Sequence, residues 1–314
     1  MVRKQDGPSL EVNLGPLTMK NPVMAASGTF GYGEEYASLL PLRSLGGIIT
    51  KGLSLEPRKG NPPPRLAETS SGMLNAIGLE NVGLEIFLRE KLPFLRKVRC
   101  RVLVNIFGST AEEYAEMARR LSELEGISGF EVNISCPNVK AGGAIFASAA
   151  KSVHQVVTKI RRATSSFLMV KLSPNVADIV EIALAAEEAG ADAVSLINTL
   201  TGLAIDVRTR TPILGNVTGG LSGPAIKPIG LRMVWQVAQA VHIPVVGVGG
   251  IMTAEDALEY LIAGATAVEV GSAHFVDPRV GLKIIDGIRS YLKASEFPTV
   301  ASLIGSLKVK RDLS

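Results

Sequence analysis

PVVGVGGIMTAEDALEYLIAGATAVEVGS, residues 244–272, contains the alternation from which the fold is read. Two valine-rich runs, 244–248 and 267–271, flank a segment whose apolar residues recur at helical spacing over 253–263. Thr253 followed by Ala254-Glu255-Asp256 is the signature of a capped helix start, and Gly264 stands where a helix stops. A strand, a helix and a second strand in so short a span make a βαβ unit.

Outward from this unit the same pattern continues. Apolar runs at 23–27, 47–51, 102–106, 130–134, 168–172 and 193–197 precede the two above. Amphipathic segments lie near 34–40, 83–97, 110–123, 148–163, 177–189, 228–241, 253–263 and 279–292. Eight strands alternating with eight helices is the arithmetic of an α/β fold, the (β/α)8 TIM barrel. Ser109 or Thr110 ahead of Ala111-Glu112-Glu113 offers a second cap, and Gly190 a second stop. Residues 10–17, with Gly15-Pro16 at their centre, read as an N-terminal β-hairpin placed to plug the barrel floor. The βα connections 52–82, 135–147 and 198–226 are long, and long loops inside a compact domain are usually functional. With no linker or low-complexity stretch, residues 1–314 read as a single domain.

Composition narrows the function classes. At 314 residues and 46% hydrophobic content the chain can bury a substantial core. Aromatics make up only 5%, too few for a surface that stacks on bases, and the basic residues behind the net charge of +4 are scattered. Nucleic acid is not expected as a partner. Two cysteines, Cys100 and Cys136, cannot form a disulfide framework, which points to a cytoplasmic chain. The polar start, 1–8, lacks the apolar core of a signal peptide, and no run of about 18 uncharged apolar residues predicts a membrane span. His154, His242 and His274 stand far apart without partners at ligand spacing, so no protein-bound metal is expected.

Barrels of this type carry their active sites at the C-terminal ends of the strands. In order, those ends hold Ser27, Lys51, Asn105, Asn133 with Cys136, Lys171, Asn198, Gly249-Gly250 and Gly271-Ser272, while the strand interiors read as apolar. Strand ends meet water and are polar anyway, which accounts for one or two positions. Two lysines, three asparagines and a thiol on one rim point to a ligand site. The glycines after strands seven and eight let backbone N–H groups approach an anion, and phosphate commonly binds there; a tight turn is the plainer reading of either pair alone. Ser222-Gly223 offers a further backbone donor. A phosphate in that place points to flavin mononucleotide (FMN), with Lys171 placed to stabilise negative charge on the reduced ring and Ser27, Asn105 and Asn133 to bond its polar edge. Lys51 and Lys171 equally fit the Schiff-base nucleophile of an aldolase, and the pattern leaves that alternative open.

Residues 133–143, NISCPNVKAGG, put Cys136 in a glycine-rich loop next to the amides of Asn133 and Asn138. A free thiol titrates near ~8.5, and its partial thiolate character suits removal of a proton from a carbon acid. Cys100, following Lys97-Val98-Arg99 at a helix end, reads instead as a small buried hydrophobe. In the connection after strand two, GNPPPR at 60–65 is stiffened by its prolines. GMLNAIGLEN at 72–81 then sets Asn75 beside a glycine turn whose N–H groups suit a carboxylate, with Lys51 supplying the charge. A structural Ω-loop is the alternative reading of this segment.

Taken jointly, these pieces resemble the catalytic subunit of class 1B dihydroorotate dehydrogenases, over residues 10–307. The resemblance is carried by Thr50-Lys51-Gly52 with segment 60–65, by 73–81, by the Cys136 motif, by 170–175, by Ile197-Asn198-Thr199 and by the two glycine pairs. It implies an FMN contact set of Ser27, Lys51, Gly52, Asn105, Asn133, Lys171, Ile197, Gly223, Gly249, Gly250, Gly271 and Ser272. It implies orotate contacts from Lys51, Asn75, Ala76, Ile77, Gly78, Leu79, Asn133, Asn198 and Thr199. Cys136 matches the base that takes a proton from carbon 5 of (S)-dihydroorotate while hydride leaves carbon 6 for FMN. The product is orotate, in de novo pyrimidine biosynthesis.

In class 1B the electrons reach NAD⁺ through a separate subunit that carries FAD and a 2Fe–2S cluster. This chain has neither the cysteines for such a cluster nor a dinucleotide fingerprint, so the resemblance implies that partner. The expected assembly is a homodimer of this chain with two electron-transfer subunits. Fumarate-linked class 1A enzymes share the base, but VKAGG at 139–143 looks like class 1B. Dihydropyrimidine dehydrogenases carry histidine after Ser-Cys-Pro, where this chain has Asn138.

Overall fold

Parallel strands covered on both faces have no solvent side to encode, so they read as continuous apolar runs rather than alternating ones. In the computed structural model, which describes residues 7–134, 149–295 and 297–309, the eight predicted runs close into one barrel. In chain order the strands are β1 (Val12–Leu14), β2 (Leu17–Met19), β3 (Val23–Ala25), β4 (Gly47–Ile49), β5 (Leu66–Thr69), β6 (Gly72–Asn75), β7 (Arg101–Ile106) and β8 (Gly129–Asn133). There follow β9 (Phe167–Lys171), β10 (Ala193–Leu196), β11 (Leu200–Leu203), β12 (Ile205–Asp206), β13 (Thr211–Pro212), β14 (Thr218–Ser222), β15 (Val245–Val248) and β16 (Ala267–Val270). The barrel runs β3-β4-β7-β8-β9-β10-β15-β16 and returns to β3, every pair parallel.

Helices Ala111–Leu121, Ala150–Ala163, Ile179–Glu188, Lys227–Ala238, Ala254–Ala263 and Val280–Ala294 form the outer layer. Their starts obey local chemistry. The Thr110 hydroxyl accepts from the Glu113 N–H at 3.2 Å, and Thr253 with Asp256 forms a reciprocal capping box. One predicted helix is corrected: 34–40 holds only a 3-10 turn, Glu34–Tyr36, followed by a second, Leu42–Ser44. Pro41 disfavours helical backbone at the residue before it, which stops the segment after one turn. The segment predicted at 83–97 is helical with a π-register turn, Phe87–Lys91, just ahead of Pro93, whose missing N–H breaks the ordinary ladder.

The predicted hairpin is present, with its second strand running to Met19. It lies against the N-terminal ends of the barrel strands. Arg101, at the start of β7, donates from Nε to the Thr18 carbonyl at 2.8 Å, and a Cβ at Gly15 would sit 3.3 Å from the Asp192 carbonyl ahead of β10. The floor is thereby closed, and the opposite end carries the two described long connections. These are not loops throughout: β5 and β6 from one, β11 and β14 from the other, pair as an antiparallel sheet in the order β11-β14-β6-β5. No helix of the described residues is long and apolar enough to cross a membrane.

Candidate active site

Register places a polar cluster inside the barrel. Partners in a parallel ladder share a face, and Asn105 pairs with Glu131, Asn133 with Lys171, and Lys171 with Ser195. Lys171, 5% exposed, reaches Glu131 Oε1 at 3.2 Å and Glu269 Oε2 at 2.8 Å; both carboxylates are fully buried. Asn105 Nδ2 donates to Glu131 Oε2 at 2.5 Å, and the Ser195 hydroxyl donates to Glu131 Oε1 at 2.9 Å. The strand interiors are therefore not uniformly apolar, which corrects the reading from sequence. Glu131, Ser195 and Glu269 were missed there. The signal was a single acid inside each of the apolar runs FEV and VEV.

The electrostatics follow from burial and pairing. Burial pulls the Lys171 ammonium toward neutrality, but Glu131 and Glu269 more than reverse this and hold its pKa above the ordinary lysine value. Burial likewise opposes charge on Glu131, yet Lys171 and hydrogen bonds from Glu269, Asn105 and Ser195 keep its carboxyl below the usual range. Glu269 goes the other way: burial and the neighbouring negative charge of Glu131 push it well above the usual carboxylate value despite Lys171. A Schiff-base lysine needs a depressed pKa, so Lys171 does not suit the aldolase alternative.

A second group assembles at the rim. The Asn75 side chain donates to the Gly220 carbonyl at 3.2 Å, and Thr199 packs against the α-carbon of Gly220, where a Cβ would run into Oγ1. Asn175 ties the same region, donating to the Thr199 carbonyl at 2.9 Å and accepting from the Thr201 N–H at 3.0 Å. The Asn198 N–H donates to the Leu172 carbonyl at 2.9 Å, and its side-chain oxygen accepts from the Thr199 N–H at 2.9 Å.

The turn after Asn75 is held from outside. Asn61 donates to the Ala76 carbonyl at 3.0 Å, and Arg65, paired with Glu80 at 2.6 Å, also caps the Lys59 carbonyl at 2.9 Å. The Ala76 N–H is spent on the Arg65 carbonyl. Those of Ile77, Gly78 and Leu79 have no protein acceptor among the described residues. Leu79 holds φ at 59°, a conformation that costs a branched residue energy and concentrates at functional sites. Lys51, half-buried, has its N–H on the Gly31 carbonyl at 2.7 Å, and its ammonium has no ion-pair partner among the described residues.

The third group is the glycine-bearing ends of β15 and β16. The N–H groups of Gly249, Gly250, Gly271 and Ser272 find no protein acceptor among the described residues, and Tyr260 fixes the Gly249 carbonyl at 2.8 Å. Gly250 holds φ at 68°, and a Cβ there would lie 2.7 Å from Lys227 Cβ and 2.9 Å from the Gly223 carbonyl. Gly271 is different, since a Cβ there would meet nothing closer than Ala26 at 3.6 Å. Ser27 and Ile197 stand at the ends of β3 and β10, the latter with its N–H on the Val248 carbonyl at 3.0 Å. Gly52 faces the Asn105 side-chain oxygen, 3.0 Å from where its Cβ would be. The Tyr114 hydroxyl donates to the Asn133 carbonyl at 2.7 Å. Cys136 and its loop lie outside the described residues.

Comparison with known proteins shows the family. A family model described as dihydroorotate dehydrogenase matches residues 9–292. A protein of Geotalea uraniireducens named dihydroorotate dehydrogenase B (NAD(+)), catalytic subunit, is 58% identical over 300 residues, which cover 96% of this chain and 98% of that one. A Geobacter sulfurreducens protein of the same name is 58% identical over 302 residues, covering 96% and 99%. Among solved structures, the Eimeria tenella protein titled DHODH in complex with ferulenol superposes with a TM-score of 0.78 at 24% identity, covering 97% of this chain and 90% of that one, and supports the barrel fold.

Proposed function

The chain belongs to the dihydroorotate dehydrogenase family, and we propose that it oxidises (S)-dihydroorotate to orotate in de novo pyrimidine biosynthesis, with non-covalently bound FMN as its cofactor. The observation that carries this reading is the junction at Gly220, which gathers Asn75 and Thr199 from two long connections at the end of the barrel that holds Lys171.

In this reading Lys51 and the unspent N–H groups of Ile77, Gly78 and Leu79 hold the substrate carboxylate. Asn75, Asn133, Asn198 and Thr199 orient the ring through neutral hydrogen bonds. Cys136 removes the proton from carbon 5. FMN, when bound, supplies the redox chemistry by accepting the hydride from carbon 6.

The residues present fit that cofactor. The open backbone donors of Gly249, Gly250, Gly271 and Ser272 suit its phosphate, with Gly223 packed against Gly250. An ammonium has three N–H groups; Glu131 and Glu269 accept two from Lys171 and leave one for the ring. Ser27, Gly52, Asn105, Asn133 and Ile197 complete the contacts.

The near relatives are named catalytic subunits of an NAD⁺-linked enzyme, and an iron–sulfur cluster takes four thiolates where this chain has two cysteines. Electrons therefore leave through a partner subunit carrying FAD and a 2Fe–2S cluster. Exposed apolar residues on the segment from β11 to β14, Leu203 at 50%, Ile205 at 55% and Val207 at 83%, support a protein-covered face. The test is spectral: purified protein should be yellow, and dihydroorotate should bleach it without oxygen. A colourless protein that FMN does not restore would contradict the reading.

A further inference from the structure

We propose that Glu269 is a positioning residue that shares one proton with Glu131 around the Lys171 ammonium, so that the cluster, and the charge Lys171 offers a bound ring, switches by one unit inside the barrel. This inference rests on the reading that FMN binds at the rim.

Three observations carry it. Two carboxyl groups and one ammonium are enclosed together, with Glu131 and Glu269 fully buried and Lys171 within 3.2 Å of both. Like charges in a dry site do not both ionise readily, and one acid retains its proton. The partners are also unequal. Glu131 accepts from Asn105, Ser195 and Lys171, whereas Glu269 accepts from Lys171 alone and its Oε1 is buried without a partner. A carboxylate oxygen left bare in the interior is costly, while a protonated Glu269 can donate to the Glu131 carboxylate beside it. The proton therefore resides on Glu269, in line with its upward-shifted acidity.

The flanking strands bring no rival charge. Met24 on β3 and Val248 on β15 are the register partners of Glu269, so Lys171 and Glu131 are the charged groups acting on it among the described residues. With Glu269 protonated the cluster is neutral: one positive lysine, one negative glutamate, one neutral acid. Loss of that proton gives a net negative charge beside the ring, which opposes its reduction. Reduction of the ring in turn favours the protonated form, so the proton and the electrons are linked.

Glu269→Gln keeps the shape and cannot ionise. In the FMN-loaded proteins, titrated with a chemical reductant and without dihydroorotate, the flavin potential of the parent should fall more steeply with rising pH than that of E269Q. The two should coincide at the acid end. Infrared difference spectra of the unsubstituted protein should show a carboxylic-acid carbonyl band that titrates with pH, and that band should be missing from E269Q where the variant folds. Parallel potentials across the pH range, or a parent protein with no titrating acid band, would overturn the proposal. Protein that takes up no FMN would count against the cofactor reading instead, and the infrared titration, which needs no cofactor, then decides this inference by itself.

Discussion

Asn75 and Gly220 stand 145 positions apart in the chain, yet the Asn75 side-chain amide donates to the Gly220 carbonyl at 3.2 Å. The bond joins β6 to β14 where Thr199 also meets Gly220, so the segments of two connections proposed to face the substrate share one point of support. Gly220→Val should push Thr199 aside and loosen Asn75. Overpacking typically costs about 1–3 kcal/mol, so orotate affinity should drop by roughly tenfold or more while FMN content stays at the parental level. Orotate titration followed by flavin absorbance checks this; unchanged affinity would place the substrate elsewhere.

Lys51 is the cation proposed for the substrate carboxylate. A hydrogen bond to a charged group is worth about 1.5–3 kcal/mol, so Lys51→Ala should weaken orotate by roughly 10- to 150-fold. A neutral pyrimidine such as uracil should lose much less. Equal losses for both ligands would show that Lys51 serves the flavin alone.

The glycine ends of β15 and β16 give a test that separates folding from binding. Gly250 cannot carry a side chain for internal reasons, because φ is 68° and Lys227 and Gly223 occupy the space. Gly271 has room for a Cβ within the protein, so Gly271→Ala should fold with little loss of melting temperature yet bind FMN more weakly. Unchanged FMN affinity in that variant would remove the phosphate from this cradle.

How much of this was legible depends on where the partner of each residue lies. The barrel strands were legible because burial on both faces writes itself into consecutive residues such as Val245 to Val248. The rim sheet was not: β11 and β14 are short, half exposed, and contain Gly202, Gly219 and Gly220, and β14 pairs with a strand from a distant connection. Lys171 was found because it ends a strand. Glu131 and Glu269 were not, because an acid inside an apolar run has meaning only once the barrel brings Lys171 to it.

The two cysteines should differ sharply in reactivity. Burial pushes the Cys100 thiol up to about 12, so below that pH it stays protonated and unreactive. Iodoacetamide near pH 8 should therefore label Cys136, and orotate should slow the labelling. Peptide mapping that finds Cys100 labelled first would reverse the assignment. If Cys136 is the general base, as proposed, flavin reduction should become faster as pH rises toward its thiol pKa and then level. General-base contributions are typically about 10²–10⁴-fold, so Cys136→Ser should slow the step by that order with orotate binding retained.

The most direct measurement is anaerobic stopped-flow absorbance of the FMN-loaded protein mixed with dihydroorotate. The account predicts bleaching of the flavin with one orotate formed per flavin reduced, and no bleaching by dihydrouracil, which lacks the carboxylate that Lys51 would hold. Protein that dithionite bleaches but excess dihydroorotate leaves oxidised would contradict it.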